Sequence, residues 1–386
     1  MGAFDGINAP TLTLQFFFTG SWANVPTSDL RSVDLYRGRT RSDQRFDAGQ
    51  MIVTLDNRSG NYDPDNLSGP WVSGGVTILR ADLRARLIAD YVGSYVLYSG
   101  YLETTKLDAG FDATATMTFV DGISILGRYL APVLKNASFS GETTATRVGR
   151  MLTYAGWPAG AAWRDLNGSV QLAATTQGNA NAPQPIMDFI YQCVDAEAGS
   201  FYISKEGKAT LVNLSDKFSR PTMLTLSDQP SSVTVEYDEI DTNPGIFNFI
   251  NAALVNFKPK NKKITQALFR NKPSVSKYGL KVRQFDTEIL TLGTANKLAQ
   301  YYATYTKNPK TWCASVSFNA LALGILYPDF LYMELQDMVI VKRKTVDGRN
   351  LTFDLVIEGF RHNITATSWR TTIYTSPISA TRTTLP

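Results

Sequence analysis

Short runs of alternating apolar and polar residues, separated by turn signals, constrain the fold of this chain more than any other feature. Leu12, Leu14, Phe16 and Phe18 alternate with their neighbours, which is typical of a strand with one buried face. Turns rich in Gly, Asn, Asp and Pro separate such runs. We therefore predict a β-barrel or sandwich in the first third of the chain. The predicted strands span residues 11–18, 32–39, 49–57, 76–79, 85–91, 95–105 and 113–120.

The apolar spacing changes after Pro132 from the period of a strand to that of a helix. Helices are predicted over residues 143–154 and 186–196, where apolar side chains recur every three or four positions. Residues 201–212 are predicted to form a hairpin, with its turn at 206–207. Alternating runs then return, with one further helix predicted over 294–305. The runs span residues 233–237, 250–257, 312–318, 338–344, 353–360 and 370–375.

A chain of 386 residues exceeds what a single hydrophobic core usually supports, so several domains are expected. We predict a mainly β fold with a smaller α+β part. The first β-barrel domain covers residues 1–132, an α+β insert covers 133–230, and a second β-barrel domain with one helix covers 231–386. The two barrels would repeat one architecture without repeating one sequence.

The distribution of charge argues against a polyanion as the main partner. The 38 Lys and Arg residues are interspersed with 34 Asp and Glu residues, whereas nucleic-acid binders concentrate their positive charge. We expect the densest basic stretch to be a solvated loop. It comprises Lys258, Lys260, Lys262 and Lys263. Charged residues make up 19% of the chain, below the ~25% of typical soluble domains, so part of the surface is expected to lie against partners.

Only two cysteines occur, Cys193 and Cys313, and we expect both to be buried free thiols. They can supply neither a disulfide framework nor a zinc site, which needs three or four clustered ligands. No signal-peptide pattern opens the sequence, and no apolar run approaches the ~20 residues of a membrane-spanning helix. We expect a protein that stays in the cytosol of its producer or enters a particle assembled there.

The residues that could carry catalysis do not form a recognisable constellation. His362, the only histidine, follows Phe360 on a predicted strand and is expected to be a structural residue. The densest acidic group would suit a glycosidase only if two carboxylates shared a cleft. It comprises Glu236, Asp238, Glu239 and Asp241, which strand alternation assigns to two faces of a solvated strand. We predict no catalytic, cofactor-binding or metal-binding residues, no cofactor and no enzymatic activity.

Residues 56–66 contain enough oxygen ligands to suggest a calcium loop. They lack the spacing of an EF-hand loop and its bidentate Glu at the twelfth position. We interpret this segment as a structural turn.

Residues 31–66 contain three motifs in fixed order: R-G-R at 37–39, F-x-A-G at 46–49 and T-L-D-N-R-x-G-x-Y-D-P at 54–64. This segment resembles the opening of minor tail proteins of siphophages that infect actinobacteria. Residues 98–103, with a Y-x-G-Y-L pattern, and the closing segments 357–364 and 369–377 agree with the same family. Within the first motif we expect Arg37 and Arg45 to pair with Asp43, Asp47 or Asp56.

The resemblance implies two related β-barrels of the phage tail hub type, flanking the mixed insert. Three subunits would then form a pseudo-hexameric ring that adapts a sixfold tail tube to a threefold tip. It further implies a structural virion protein at the tail tip, assembled in the host cytoplasm. The implied partners are two further copies in a homotrimer, a distal tail protein, the tape-measure protein, other minor tail or receptor-binding proteins, and DNA in transient passage through the lumen.

Three alternatives remain open. A distal tail protein would form a hexameric ring, but it is expected to carry one ring-forming barrel instead of two. A wall-cleaving enzyme would require a clustered carboxylate such as Glu236. A receptor- or carbohydrate-binding tip protein would use exposed aromatic residues such as Trp71, Trp157 or Trp163.

Overall fold

The computed structural model describes residues 9–133, 139–174, 183–217, 219–229, 231–243, 249–260, 263–309 and 311–378. The fold is mainly β, with 22 strands and seven α-helices in the described part of the chain. The expected turn at residues 206–207 and the short loop of residues 345–349 both connect antiparallel strands.

The strands predicted in the first third of the chain are confirmed. They are β1 (Thr11–Phe18), β2 (Ser21–Asn24), β3 (Leu30–Gly38), β4 (Asp47–Asp56), β5 (Val72–Ser73), β6 (Val76–Thr77), β7 (Arg84–Asp90), β8 (Ser94–Asp108) and β9 (Thr114–Val120). The run at 76–79 gives only the two residues of β6, which pair with β5.

Helices and strands both occur in the middle region, as its spacing predicts. Its elements are α1 (Gly122–Leu126), α2 (Thr144–Tyr154), β10 (Arg164–Leu166), α3 (Ile186–Glu197), β11 (Ser200–Ile203), β12 (Ala209–Val212), α4 (Leu214–Lys217) and β13 (Thr222–Ser227). The Thr143 hydroxyl accepts a hydrogen bond from the backbone N–H of Thr146 and so begins α2. Helix α3 ends at Ala198, whose positive φ of 49° turns the chain one residue before Gly199.

The last region returns to strands but holds three helices, where one is predicted. Its elements are β14 (Val235–Glu236), β15 (Glu239–Asn243), β16 (Ala252–Phe257), β17 (Thr265–Arg270), α5 (Lys272–Tyr278), β18 (Val282–Asp286), α6 (Leu292–Tyr305), β19 (Trp312–Asn319), α7 (Tyr327–Tyr332), β20 (Met338–Lys344), β21 (Asn350–Thr365) and β22 (Trp369–Pro377). Helix α6 confirms the predicted helix. Helices α5 and α7 each have a proline in their first turn and are too short for an apolar period to show.

One five-strand arrangement occurs twice within the largest sheet. We name the first repeat β3, β4, β7, β8 and β9; its order across the sheet is β7, β8, β9, β4, β3. We name the second repeat β15, β19, β20, β21 and β22; its order is β20, β21, β22, β19, β15. Every neighbouring pair within both repeats is antiparallel. If the five strands of each repeat are numbered by their order along the chain, both repeats have the same order across the sheet: third, fourth, fifth, second, first.

The two repeats are joined where β3 pairs antiparallel with β21, a contact that we name the seam. Smaller sheets lie outside the repeats: β10, β12 and β11 in the insert, and β17, β16 and β18 between β15 and β19. Among the described residues no ladder closes either repeat on itself. The two barrels therefore stay a prediction, while the repeated strand order is a feature of the structure.

Alternating side chains bury the inner face of the largest sheet. In the first half of the chain Leu12, Leu14 and Phe16 are buried, and the Phe16 ring lies 5.0 Å from that of Trp71. In the second repeat the fully buried Trp369 packs edge-on against Phe330 of α7. Trp157 of the insert packs against α1, the helix directly after β9, and occupies the space that a side chain at Gly122 would need.

We expect Gly359→Ala to destabilise the protein by about 1–3 kcal/mol, the usual effect of overpacking. A methyl group at this position would lie 2.7 Å from the Arg39 carbonyl oxygen across the seam. The matched control is Gly293→Ala in the first turn of α6, where the added carbon meets open space. Urea denaturation should show a lower free energy of unfolding for the first variant and an equal or higher one for the control. Equal values for both variants would contradict close packing at the seam.

Candidate functional site at the seam between the repeats

The seam brings the R-G-R segment against the closing segment of the chain. In this antiparallel pair Gly38 faces Gly359. Both positions are glycine because β3 and β21 approach too closely there for a side chain on either residue. On the exposed part of the seam, the Arg361 guanidinium binds the Asp34 carboxylate at 2.9 Å. At the other end, Glu358 is the extra residue of a bulge in the ladder between β21 and β22.

Glu358 is fully buried, and cations from two other parts of the chain neutralise it. Its Oε2 atom accepts hydrogen bonds from Arg39 Nε at 2.7 Å and Gln336 Nε2 at 3.1 Å. Its Oε1 atom accepts from Lys217 Nζ at 3.1 Å and from the Ser376 hydroxyl. Arg39 follows the first strand of the first repeat, and Lys217 ends a helix of the insert. One carboxylate of the second repeat thus joins all three parts of the chain.

The electrostatics of Glu358 suit a structural group. Burial alone would raise its pKa, but the charges of Arg39 and Lys217 outweigh burial and lower the pKa of Glu358 to about 2. The carboxylate therefore remains ionised in the folded protein at neutral pH. Because both of its oxygen atoms are fully hydrogen-bonded and shielded from solvent, it is not placed to exchange protons with a substrate.

A second buried ion pair lies beside the first. Arg37 Nη2 binds Glu334 Oε1 at 2.7 Å and also donates to the Ile203 carbonyl oxygen of the insert at 3.1 Å. The backbone N–H of Lys205 donates to the same glutamate at 2.8 Å. The Lys205 ammonium caps the carboxyl end of α7. Its hydrogen bonds run to the carbonyl oxygens of Leu331, Tyr332 and Met333.

The predicted local partners of Arg37 and Arg45 are wrong. Arg37 reaches Glu334, almost 300 positions along the chain, while Arg45 lies over the ring of Tyr191 and approaches Asp195 at 3.4 Å. Two of the predicted aspartates bind other arginines: Asp43 binds Arg41, and Asp56 binds Arg31 and Arg58. The arginines of this segment therefore connect the first repeat to distant parts of the chain, which local spacing could not show.

The glycine of the F-x-A-G motif has a specific neighbour. The backbone N–H of Gly49 donates to Asp121 Oδ2 at 2.8 Å, and a side chain at residue 49 would meet that same atom. Asp121 also accepts the backbone N–H of Ile123 and begins α1. Burial raises the pKa of Asp121 to about 7. The Tyr98 hydroxyl donates to the Gly49 carbonyl oxygen at 3.0 Å, so this motif glycine is enclosed on two sides.

The oxygen-rich segment 56–66 is a turn held by its own side chains. Asn57 accepts the backbone N–H of Tyr62, whose hydroxyl donates to Asp29 at 2.6 Å. Gly60 adopts a φ of +71° in the turn. Within the described ranges, no three His, Cys, Asp or Glu side chains lie together in a way that could hold a metal ion.

His362 lies in an aromatic cage beneath the seam. The Trp369 indole donates to its Nδ1 atom at 3.3 Å, and the Thr371 hydroxyl lies 2.9 Å from that atom. Because an indole N–H can only donate, Nδ1 is unprotonated. Phe360 and Phe330 flank the ring. Burial, followed by the charges of Arg37 and Lys205, lowers the pKa of His362 to about 3.

The acidic group at residues 236–241 is exposed, but it does not form one alternating strand. Two short strands occur here instead of one: β14 pairs with β13, and β15 pairs with β19. Arg370 therefore reaches both Asp238, at 3.7 Å, and Glu239, at 2.9 Å, which alternation assigned to opposite faces.

The three tryptophans considered for ligand binding have different environments. Trp71 and Trp157 are buried, and Trp163 is half-buried. The last two line a groove of about 380 Å³ that also contains Arg84 and Arg86. The Arg84 guanidinium lies 5.3 Å from the Trp163 ring centroid, so cations already cover aromatic faces in this groove.

The basic stretch after β16 is solvated where it is described. Lys258 binds Glu288 at 2.6 Å, and both Lys260 and Lys263 are exposed. Lys262 lies outside the described residues.

Cys193 and Cys313 are buried free thiols, as predicted. In the part of the chain that the structure describes, no helix has the length and apolar character needed to cross a membrane.

Neither a protein-family model nor a curated protein matches this sequence. The fold does match solved structures along almost the whole chain. The tail protein from Neisseria meningitidis MC58 aligns with a TM-score of 0.62 and 9% identity, over 94% of this chain and 96% of that chain. The 43 kDa tail protein of prophage MuSo2 from Shewanella oneidensis aligns with a TM-score of 0.60 and 9% identity, over 95% and 97%.

A third match is prophage tail protein gp18 from Listeria monocytogenes EGD-e, with a TM-score of 0.52 and 10% identity over 95% of each chain. The structural neighbours of this chain are thus phage tail proteins. At such low identity the likeness establishes the fold. The predicted origin in siphophages of actinobacteria stays a prediction.

We expect Glu358→Gln to lower the free energy of unfolding at pH 7 by about 3–5 kcal/mol, because two buried cations lose their counter-charge. The folded-state pKa of Glu358 is about 2, below the ~4.3 of an unfolded chain, so its contribution is present above pH 4.3 and is lost as the pH falls towards 2. Urea denaturation should therefore show the two proteins converging at low pH. The control, Glu239→Gln at the exposed Arg370 pair, should change stability by less than about 1 kcal/mol. A constant difference from pH 7 to pH 3 would contradict the assignment.

His362→Gln should remove a pH dependence of the free energy of unfolding that begins near pH 6.5, above the range in which Glu358 acts. The folded-state pKa of about 3 lies below the ~6.5 of an unfolded histidine, so unfolding takes up a proton between these values. The stability advantage of the natural protein over the variant should fall by about 1.4 kcal/mol for each pH unit below 6.5. Denaturation between pH 7.5 and 5 measures this directly, since the chain has no other histidine. A pH-independent difference would show that His362 is accessible to protons.

Proposed function

We propose that this chain is a structural, non-enzymatic subunit of a phage tail, and that three copies form the tail-tip hub. The observation that carries the proposal is the repeated five-strand order within one chain, on a fold that phage tail proteins share. Two similar units in one chain allow three chains to present six units. Such a ring would match a sixfold tail tube above and a threefold tip below.

The buried ion pairs support this proposal because they make the two repeats one rigid unit. Arg39, Lys217 and the fully buried Glu358 connect the first repeat, the insert and the second repeat with little access to solvent. A ring subunit must hold its two units at a fixed angle, since any variation would prevent six positions from closing. A flexible linker between the repeats would not provide that constraint.

The proposed partners follow from the position in the tail. A distal tail protein would lie above the ring, the tape-measure protein would end in its lumen, and other minor tail or receptor-binding proteins would lie below. DNA would pass through the lumen during ejection. We place the protein in the virion at the tail tip, after assembly in the host cytoplasm.

The repeated strand order also favours the hub over the distal tail protein as the role of this chain. Six copies of a chain with two repeats would present twelve units, twice the number that a sixfold tube requires. A wall-cleaving enzyme or a sugar-binding tip protein has less support, because the acidic group at 236–241 binds Arg370 and arginines cover aromatic faces in the tryptophan-lined groove.

We expect three copies of the chain in a pseudo-sixfold ring at the tail tip. Light scattering of the purified protein measures its mass, and electron microscopy of phage particles measures its symmetry and position. Six copies at the end of the tube would instead identify a distal tail ring. A protein that is absent from the particle would overturn a structural role in the tail.

A further inference from the structure

We propose that β15 of one subunit adds to the open edge of β8 in a second copy of this chain, so that the seam within each chain recurs between chains. The inference rests on the proposed ring and names the strands that join its subunits. In the second repeat, the longest strand β21 has β20 along half of one edge and β3 along the other half. In the first repeat, the longest strand β8 has β7 along the first half only.

The open strand edges of the described ranges include one in each repeat, on the second half of β8 and on β15. From Glu103 to Asp108, β8 pairs with β9 on one side and with no described strand on the other. Strand β15 is the outermost strand of the second repeat and, within the described ranges, pairs with β19 alone. Open edges expose unpaired backbone groups to which a strand of another chain can add.

The ladders show that β3 and β15 occupy equivalent places. In both repeats the longest strand has a bulge at a glutamate, Glu103 in β8 and Glu358 in β21. From the first residue pair after each bulge, a row of residues can be followed across the repeat. Each residue of the row is paired directly with the next one on the neighbouring strand. The row in the first repeat is Thr104, Thr118, Ile52 and Asp34. The row in the second repeat is Gly359, Tyr374, Ser315 and Asp241.

In this register the cation Lys106 lies between two carboxylates, Asp108 of its own strand and Asp241 of the added strand. At the seam, Arg361 lies two positions after the start of its row and binds Asp34. The residue two positions after the start of the other row is Lys106, and the equivalent of Asp34 is Asp241. Within the described ranges, Asp241 is exposed and has no ion-pair partner, and the one ion pair of Lys106 is with the exposed Asp108 of its own strand. Lys106 of one subunit would bind Asp241 of the next.

The two bulged glutamates differ as the proposal requires. Glu358 is buried because the residues after β3 cover it, whereas Glu103 is exposed and lies 3.6 Å from Arg128. On the same open edge, the apolar side chain of Leu107 is 41% exposed. In the proposed register it lies diagonal to Ile240 of β15, on the face that is buried in the second repeat. An added strand would cover this apolar surface.

This contact runs from the second repeat of one chain to the first repeat of the next. It is head-to-tail, and such contacts form a closed ring when the rotation between subunits closes. Three copies would then have six similar seams, three within chains and three between them.

The test is a disulfide between Asp108→Cys and Asp241→Cys, which stand opposite each other in the proposed register, as Asn363 stands opposite Asp34. Directly paired strand residues lie within the Cα separation that a disulfide requires. The two natural cysteines are buried and should not interfere. Oxidation of the purified protein and of assembled particles should give a covalent trimer on non-reducing electrophoresis. The control, Leu107→Cys with Asp241→Cys, shifts the register by one residue and places the thiols on opposite faces, so it should stay monomeric.

The outcomes separate this contact from the proposed ring. A trimer by mass whose cysteines do not cross-link overturns the contact and leaves the ring standing. Cross-linked chains that extend beyond three copies support the contact and overturn the closed trimer. Monomers without cross-links, in solution and in particles, overturn the contact.

Charge reversal provides a second measurement on exposed residues. Lys106→Glu should weaken subunit association by about tenfold, and Lys106→Glu combined with Asp241→Lys should restore it. Analytical ultracentrifugation measures both effects, with circular dichroism as the check on folding. An unchanged association constant in the single variant overturns the intersubunit ion pair.

Discussion

The buried carboxylate of Glu358 is the constraint on which the arrangement of this chain depends. An ionised group out of contact with water must be neutralised by charge and hydrogen bonds from the protein itself. Here the two cations come from different segments, Arg39 after the first strand of one repeat and Lys217 in the insert. Withdrawal of either segment would leave a buried charge without its partner. The three parts of the chain are therefore expected to fold into one arrangement and to keep it.

The seam fixes the position of the two repeats relative to each other. Strands β3 and β21 continue one sheet from the first repeat into the second. The hydrogen bond from Arg37 to Ile203 and the ion pair of Lys217 with Glu358 hold the insert against both. A chain that carries two similar units at a fixed angle suits a ring with twice as many positions as subunits. Such a ring needs no flexible joint within the chain.

Much of the local structure could be predicted because strand and helix periods are written in neighbouring residues. The alternation over residues 11–18 predicts β1 to the residue, and the spacing after Thr143 predicts α2. The same reasoning failed where pairing is not local. It assigned Arg37 an aspartate within 20 positions, whereas the structure gives it Glu334. It also placed the acidic residues of positions 236–241 on one strand, although the structure has two strands there, β14 paired with β13 and β15 paired with β19.

The sequence by itself determined the mainly β character and the helices and strands of the middle region, because backbone propensity and side-chain alternation act over a few residues. It also indicated the family resemblance. Only the tertiary structure decided which strands are neighbours, where Glu358 finds its cations, and which edges stay open. Those features depend on contacts between residues hundreds of positions apart, and a chain brings such residues together only when all its elements pack at once.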